Sequence, residues 1–210
     1  QIKKVFFAIN DPDPRSFRKC SSTLRKKGVV VSNYILKNKI NFFYRSYIKC
    51  KKNNLPFVTC KLAISKDFYT INKKNKWITN EFSRGRVHLM RSFNECIITS
   101  SKTIIEDNPR LSCRIDGLYH RSPFIIVLDR ELKIHINSKI ISKINRKRVI
   151  IFYNRFNKRK VRLLKKLKIK THKISLDNTG NLDLKESLMK AKEMGFSRIF
   201  IETGIKLTTS

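Results

Sequence analysis

Carboxylates are scarce in this chain, so the few that remain are candidates for chemistry. The 210 residues contain 48 Lys and Arg against 15 Asp and Glu, a formal net charge of +33. Open α/β sheets bind ligands beyond the carboxyl ends of their strands. Any single acid there could equally cap a turn or a helix. Five acids just beyond predicted strands nevertheless favour a binding site: Asp67, Glu106, Asp107, Asp129 and Glu202.

The segment from residue 77 to residue 114 combines several such groups. Its apolar run at 96–100 ends in hydroxyl residues and leads to the turn sequence EDNP at 106–109, a pattern typical of a ligand-binding loop. Guanidinium groups can contact phosphate through two parallel N–H donors. The candidates are Arg91, Arg110 and Arg114, although Arg91 could instead satisfy carbonyls at the end of its own helix.

The last residues, IFIETGIKLTTS, place a glycine and hydroxyl residues after a strand, at a predicted helix N-terminus. Backbone N–H groups and the helix dipole at such a position suit a phosphate. The signal is weak alone, because it is neither GxGxxG nor GxxxxGK[ST]. The chain stops where that helix should begin, so we expect a C-terminally incomplete domain.

Composition argues against several classes of protein. The five cysteines include no CxxC pair and the four histidines are scattered, so a metal site has no support. No Ser-His-Asp arrangement stands out. The apolar runs are too short for a membrane span and the start does not resemble a signal peptide, which predicts a soluble cytoplasmic protein. Carboxylates, hydroxyls, arginines and one Trp suit a phosphorylated cofactor with a phosphorylated substrate, and hydride transfer is one such chemistry.

Strands alternating with helices predict an α/β fold with a mostly parallel central sheet and helices on both faces. At the N-terminus we expect a β-α-β unit: a buried strand at 5–10, a helix at 16–27 ended by Gly28, and a strand at 29–31. A helix is predicted at 40–52, and its polar end, 51–54, suggests a domain boundary. The predicted domains are residues 1–50 and 55–210.

In the second domain a strand begins at Pro56 and a helix capped by Thr79 or Asn80 carries an apolar stripe. That stripe comprises Phe82, Leu89 and Phe93, with Met90 beside it. The remaining predictions are strands at 96–100, 123–128, 148–153 and 198–201, a long polar loop from the first of these to residue 122, and helices at 157–168 and 182–194.

An alternative is a basic nucleic-acid-binding module built on residues 143–173, where aromatics interleave with Lys and Arg. No RRM, KH or zinc-finger signature supports it, and a compositional bias of the whole surface also explains the charge. The apolar residues of this segment have the spacing of core positions in a strand and a helix: Phe152, Phe156, Leu163, Leu164 and Leu167.

Five runs of the sequence resemble, in order and spacing, the reductase half of the bifunctional riboflavin-biosynthesis deaminase/reductase family. They are PFVTCKLAIS, KWITNEFSRGRVHLMRS, ECIITSSKTIIEDNPRLSCR, SPFIIVLD and IFIETG, within about residues 55 to 210. The first 50 residues resemble the tail of that family's zinc deaminase domain. Its HxE and PCxxC zinc motifs are absent from this chain, so zinc would belong only to a part not contained here.

The resemblance implies a dihydrofolate-reductase-like fold, NADPH as hydride donor, and a phosphorylated aminopyrimidine whose ribose is reduced to the ribityl chain. It makes Lys61 the candidate catalytic residue. The implied substrate positions are Asn75, Arg91, Leu111, Arg114 and Glu202. The implied cofactor positions are Ala63, Trp77, Thr103, Asp107, Arg130, Gly204, Ile205, Lys206, Leu207, Thr208, Thr209 and Ser210.

Three departures from the family pattern leave an inactive relative open: Phe68 replaces a usual glycine, Arg130 a usual hydroxyl residue, and the phosphate loop keeps a single glycine, Gly204. The expected partner is the phosphorylated substrate, with no specific nucleic acid and no membrane. The sequence leaves open whether the chain forms a homo-oligomer.

Overall fold

Residues 2–17, 19–67, 69, 78–142, 145–202 and 204 are described by the computed structural model. The chain divides into two compact units, Gln1–Phe57 and Val58–Ser210. The predicted polar boundary at 51–54 lies at the end of the last helix of the first unit. Within the described ranges, no helix combines the length and apolar character needed to cross a membrane.

The first unit contains the predicted β-α-β arrangement. Its elements are β1 (Lys4–Phe6), α1 (Lys19–Lys26), β2 (Val30–Ser32), α2 (Lys37–Phe43) and α3 (Arg45–Asn53). Strands β1 and β2 pair in parallel, and Gly28 has a φ of 76° just after α1. That left-handed conformation is accessible to glycine without steric cost, which confirms the predicted helix end.

Two predictions for this unit were wrong. The helix expected at 40–52 is two helices, α2 and α3, which meet at Tyr44. The buried strand expected at 5–10 is only three residues long, and 58% of Phe6 is exposed. Two strands of three residues form too small a sheet to cover an apolar face. The apolar segment at 5–10 therefore does not form a buried strand.

The Asp-Pro turn after β1 is held by a buried carboxylate. Asp13 receives N–H donors from the Arg15 side chain at 3.0 and 2.7 Å and the ammonium of Lys51 on α3 at 2.7 Å. Beside it, Asp11 accepts the hydroxyl of Tyr47 at 2.8 Å. Donors from Arg15 first and Lys51 second hold the pKa of Asp13 far below its usual range.

We expect Asp13→Asn to loosen the attachment of this turn to α3 at neutral pH. Because folding lowers the pKa of Asp13, the stabilisation is fully present above the ordinary aspartate pKa of about 3.9 and is lost as pH falls below it. Amide hydrogen exchange in α3 should therefore be faster in Asp13→Asn at pH 7, and the difference should shrink on acidification. Asp67→Asn, an exposed acid of the second unit, is the control, and equal α3 exchange in both variants at pH 7 would contradict the prediction.

The second unit is built on a six-stranded sheet with the order β3-β8-β4-β5-β6-β7. The pairs β8-β4, β4-β5, β5-β6 and β6-β7 are parallel, which confirms the mostly parallel prediction. The strands are β3 (Phe57–Lys61), β4 (Cys96–Ser100), β5 (Phe124–Leu128), β6 (Val149–Tyr153), β7 (Lys170–Lys173) and β8 (Arg198–Glu202). The helices are α4 (Glu81–Phe93), α5 (Ser101–Asp107), α6 (Lys158–Lys166) and α7 (Leu184–Glu193).

Helices cover both faces of this sheet, as predicted. One core cluster contains Ile97 of β4 and Phe200 of β8, and residues of α4, α5 and α6 pack into it. The other contains Ile98 and Ile201 with residues of α7. Because β4 and β5 are buried on both faces, they appear in the sequence as continuous apolar runs. Short 3₁₀ helices lie at Tyr119–Arg121, Lys139–Ile141 and Arg146–Arg148.

Helix α4 begins as predicted, because the Asn80 side chain accepts the N–H of Ser83 at 2.9 Å. Its predicted apolar stripe was wrong. Phe82 and Phe93 are exposed, and the side that packs on the core carries Val87 together with Met90, which was predicted to lie beside the stripe. Phenylalanines at helical spacing indicate an apolar stripe but do not show which side of the helix meets the sheet.

Three further expectations need correction. The long polar loop after β4 begins with helix α5, because the Ser100 side chain accepts the N–H of Thr103 at 3.2 Å and starts a new helix directly. Strand β7 was not predicted, since its sequence KTHK is polar and it pairs only with β6 at the edge of the sheet. In the basic segment, Phe152 and Leu164 are buried as expected, whereas Phe156 and Leu163 are exposed.

Candidate functional site

The strand order reverses between β8 and β4. From β4 the chain adds β5, β6 and β7 on one side, whereas the last strand, β8, pairs on the other side of β4. Because these strands are parallel, their carboxyl ends lie along one edge of the sheet. In open α/β sheets the crevice at such a reversal is the usual place for a ligand.

Several predicted site residues follow the strands that meet at this edge. Glu202 is the last residue of β8 and Thr103 lies in the first turn of α5, directly after β4. Arg130 comes two residues after β5 ends. The candidate catalytic residue, Lys61, is half-buried at the last position of β3, and Ala63, also half-buried, follows it.

A buried ion pair joins helix α4 to the end of β8. Arg91 donates from Nε to Glu202 Oε1 at 2.8 Å and from Nη2 to Oε2 at 2.7 Å. Only 11% and 10% of the two side chains are exposed. Parallel two-point pairing is the strongest geometry for these groups. Arg91 and Glu202, both predicted to contact substrate, are therefore held by each other, and their charges cancel.

The same arginine also fixes the loop that follows α5. Arg91 Nη1 donates to the carbonyl oxygen of Ser112 at 3.0 Å. The preceding Leu111 is buried in the core, with a φ of 49° that is unfavourable for a leucine. Cys113 is fully buried, and its N–H donates to Ser122 Oγ at 3.0 Å. Because the loop is anchored at three successive residues, the exposed Arg114 is presented from a fixed backbone.

His88 links α4 to Arg114. Its Nε2 lies 3.2 Å from Arg114 Nη2, and its Nδ1 lies 3.1 Å from the Ser112 carbonyl oxygen. Burial first, and then the neighbouring Arg91 and Arg114, lower the pKa of His88. Imidazole with an ordinary pKa is already mostly neutral at pH 7, and the lowered pKa of His88 further favours the neutral form.

The other described positions lie outside this hydrogen-bonded group. Arg130 donates to the Gly180 carbonyl and to Glu131, and Thr103 Oγ1 lies 3.1 Å from Ser100 Oγ. Asp107 and Gly204 are exposed. Eight predicted positions lie outside the described residues: Asn75, Trp77, Ile205, Lys206, Leu207, Thr208, Thr209 and Ser210. Phe68 lies outside them as well.

The five edge acids do not form one site. Asp129 is buried and accepts the N–H groups of Lys133 and Ile134 at 2.8 and 2.9 Å, so it caps a turn. Glu106 and Asp107 are the last two residues of α5, one helix away from the end of β4, and they are exposed. Asp67 is exposed in a turn. Of the five, Glu202 alone combines burial with an arginine partner within the part of the chain that the structure describes.

Sequence reasoning missed His88 and the Ser112 carbonyl. The histidine stands three residues before Arg91, a spacing that puts both on one side of a helix, and this was the available signal. A backbone carbonyl carries no signal in the sequence. Both became visible when the folded loop brought residues 112–114 beside α4.

Similarity to known proteins shows the family of this chain. The RibD C-terminal domain model matches residues 56–210. The riboflavin biosynthesis protein RibD of Chlamydia muridarum is 26% identical over 99% of this chain and 56% of its own length. The solved RibD structure of Acinetobacter baumannii superposes with a TM-score of 0.82 at 25% identity, covering 99% of this chain and 56% of that one.

A third relative supports the fold alone. It is a Thermotoga maritima protein described as a diaminohydroxyphosphoribosylaminopyrimidine deaminase/5-amino-6-(5-phosphoribosylamino)uracil reductase, with a TM-score of 0.77 at 22% identity, covering 97% of this chain and 54% of that one. This chain thus spans about half the length of the relatives it matches. The fold class expected from the resemblance is confirmed, and the family model covers most of the chain. The chain belongs to the RibD C-terminal domain family.

Proposed function

We propose that this chain reduces the ribose of 5-amino-6-(5-phosphoribosylamino)uracil to the ribitylamino product, with NADPH as hydride donor, as a step of riboflavin biosynthesis. Family membership supports the reaction class. Because the chain spans 56% of its RibD relatives, coupling to a pyrimidine deaminase part is also a proposal. Neither a nucleic-acid-binding module nor an inactive relative is favoured by these similarities.

The observation that carries the proposal is the charge distribution at the reversal of strand order. Arg91 and Glu202 neutralise each other. Arg114 has no carboxylate partner in the described ranges. Its contact on the α4 side is the imidazole of His88, whose lowered pKa favours the neutral form. An exposed guanidinium that keeps its full charge on a fixed loop suits the phosphate of a sugar phosphate.

The described cofactor positions fit a phosphorylated dinucleotide. Thr103 lies in the first turn of α5 directly after β4, and Arg130 follows β5, so a hydroxyl and a guanidinium group stand at the carboxyl ends of two adjacent parallel strands, while Asp107 adds a carboxylate at the far end of α5. Bound there, NADPH would supply the hydride. The ammonium of Lys61 would stabilise negative charge that develops on the ribose oxygen during reduction. Arg114 would hold the phosphate and so orient the ribose.

The proposal predicts NADPH oxidation that depends on the phosphorylated aminopyrimidine. Absorbance of NADPH should fall when the purified chain receives both compounds, and not when the aminopyrimidine is omitted. Asp107→Ala should lower turnover without changing the melting temperature, because the side chain is exposed at the end of α5.

Glu193→Ala is the matched control, since this acid is exposed on α7 and, within the described residues, forms its ion pair with Lys190. It should leave turnover unchanged. Failure of the folded wild-type protein to oxidise NADPH with this substrate would overturn the proposed reaction. Equal turnover in wild type and Asp107→Ala would overturn the assignment of Asp107 alone.

A further inference from the structure

Each ring nitrogen of His88 has a hydrogen-bond partner, and one neutral tautomer can satisfy both of these contacts together. Its Nε2 lies 3.2 Å from Arg114 Nη2 and its Nδ1 lies 3.1 Å from the Ser112 carbonyl oxygen. The backbone nitrogen of Arg114 and Nη1 of Arg91 also approach Nδ1, at 3.2 and 3.4 Å. The four contacts cannot all be hydrogen bonds at once, because a protonated Nδ1 cannot accept.

The chemistry of the partners decides between the tautomers. A guanidinium only donates and a carbonyl only accepts, so a proton on Nδ1 satisfies Arg114 Nη2 and Ser112 together. A proton on Nε2 would face the N–H groups of the Arg114 guanidinium, which are donors as well. The lone pair then left on Nδ1 would face the Ser112 carbonyl oxygen, which is an acceptor as well. That tautomer gains the backbone N–H of Arg114, which is exposed and can bond to water instead. It also gains a long contact of 3.4 Å from Arg91 Nη1, a group that already donates to the Ser112 carbonyl oxygen at 3.0 Å. The charge-assisted bond from Arg114 Nη2 to Nε2, at 3.2 Å, is stronger than the neutral bond from the backbone N–H. This difference favours the tautomer with the proton on Nδ1.

We propose that His88 is a positioning residue that aims the Arg114 guanidinium at the substrate phosphate through a neutral acceptor. This inference rests on the proposed function and names how its phosphate subsite is organised. Arg91 shows the contrasting arrangement, since a carboxylate holds it and cancels its charge. An imidazole acceptor orients Arg114 through one hydrogen bond and leaves the full positive charge available to a phosphate.

The tautomer can be tested without any ligand. Long-range ¹⁵N–¹H NMR spectra of the wild-type protein distinguish protonated from unprotonated ring nitrogens, and the resonances lost in His88→Gln assign those of His88. We expect Nδ1 to be protonated and Nε2 to be an acceptor, and we expect Arg114→Ala to abolish that preference. A proton on Nε2 in the wild-type protein would overturn the positioning role and leave the proposed reaction standing.

The positioning itself is tested by a double-mutant cycle of His88→Ala and Arg114→Ala. Its readouts are the KM for the phosphorylated aminopyrimidine and the dissociation constant of ribose 5-phosphate by calorimetry. Loss of one hydrogen bond to a neutral acceptor should raise both the KM and the dissociation constant by about 3- to 10-fold, with kcat little changed. In the Arg114→Ala background, His88→Ala should add nothing, because its effect is exerted through Arg114.

Two matched variants separate positioning from folding. His88→Gln carries an amide oxygen that can accept from Arg114 and should retain most of the affinity. His120→Ala removes an exposed histidine from the 3₁₀ helix at Tyr119–Arg121 and should change neither readout. An equal loss from His88→Ala with and without Arg114 would overturn the positioning role. Absence of substrate turnover in the wild-type protein would overturn the proposed function, while the NMR result still decides whether His88 accepts from Arg114.

Discussion

Replacing Arg91 with Met should destabilise the second unit by about 3–5 kcal/mol, the typical cost of leaving one partner of a buried ion pair uncompensated. Glu202 would keep a carboxylate that is only 10% exposed and lose both of its hydrogen bonds to Arg91. The Ser112 carbonyl would also lose a donor. Urea unfolding followed by circular dichroism would measure the change in the free energy of unfolding.

Arg86→Met is the matched control, since Arg86 is an exposed residue of the same helix, and surface changes of this kind are usually within about 0.5 kcal/mol. The double variant Arg91→Met/Glu202→Leu should recover much of the loss, because it removes both charges together. A loss below about 1 kcal/mol in Arg91→Met, or no recovery in the double variant, would show that the pair is not buried as described.

Replacing Arg114 with Ala should raise the KM for the phosphorylated substrate by roughly 10- to 150-fold, which corresponds to about 1.5–3 kcal/mol for hydrogen bonds to a charged group. The physical reason is that Arg114 is the exposed guanidinium of the site, whereas Arg91 is neutralised by Glu202. We expect kcat to change much less, since the phosphate is remote from the reacting carbon and its binding is uniform through the reaction.

The phosphate-free substrate provides the sharpest control. If Arg114 acts on the phosphate, Arg114→Ala should not change the kinetics of the dephosphorylated aminopyrimidine. Arg162→Ala removes the same charge from an exposed position on α6, outside α4 and the loop at 111–114, and should behave as wild type with both substrates. An equal loss with both substrates would assign Arg114 a role other than phosphate recognition.

The elements that sequence predicted well are those whose signal is local. Strand β4 has the predicted bounds, Cys96–Ser100, because a run of apolar residues between polar ends indicates burial on both faces. Asn80 caps α4 with its own side chain. The mostly parallel sheet followed from the alternation of strands and helices. Helix α5 was missed because its capping residue lies within a run of hydroxyl residues and does not stand out. Strand β7 was missed because an edge strand with one partner needs no apolar run, so its sequence is polar.

The resemblance of sequence motifs assigned Arg91, Arg114 and Glu202 to one substrate site, and their roles stay predictions. What they contact was decided by the tertiary structure. Arg91 and Glu202 are 111 residues apart in sequence, and no periodicity links them. Nor could the sequence show that His88 would stand between Arg91 and Arg114.

By itself, the sequence determined most of the strands and helices of the second unit and which residue types would be available at the carboxyl edge. The tertiary structure decided which arginine is neutralised and which keeps its charge. The physical reason is that periodicity and capping report how a segment meets its own immediate surroundings. The charge that a ligand meets depends on pairings between α4, the loop at 111–114 and β8, and these form only when the parallel sheet brings its strand ends together.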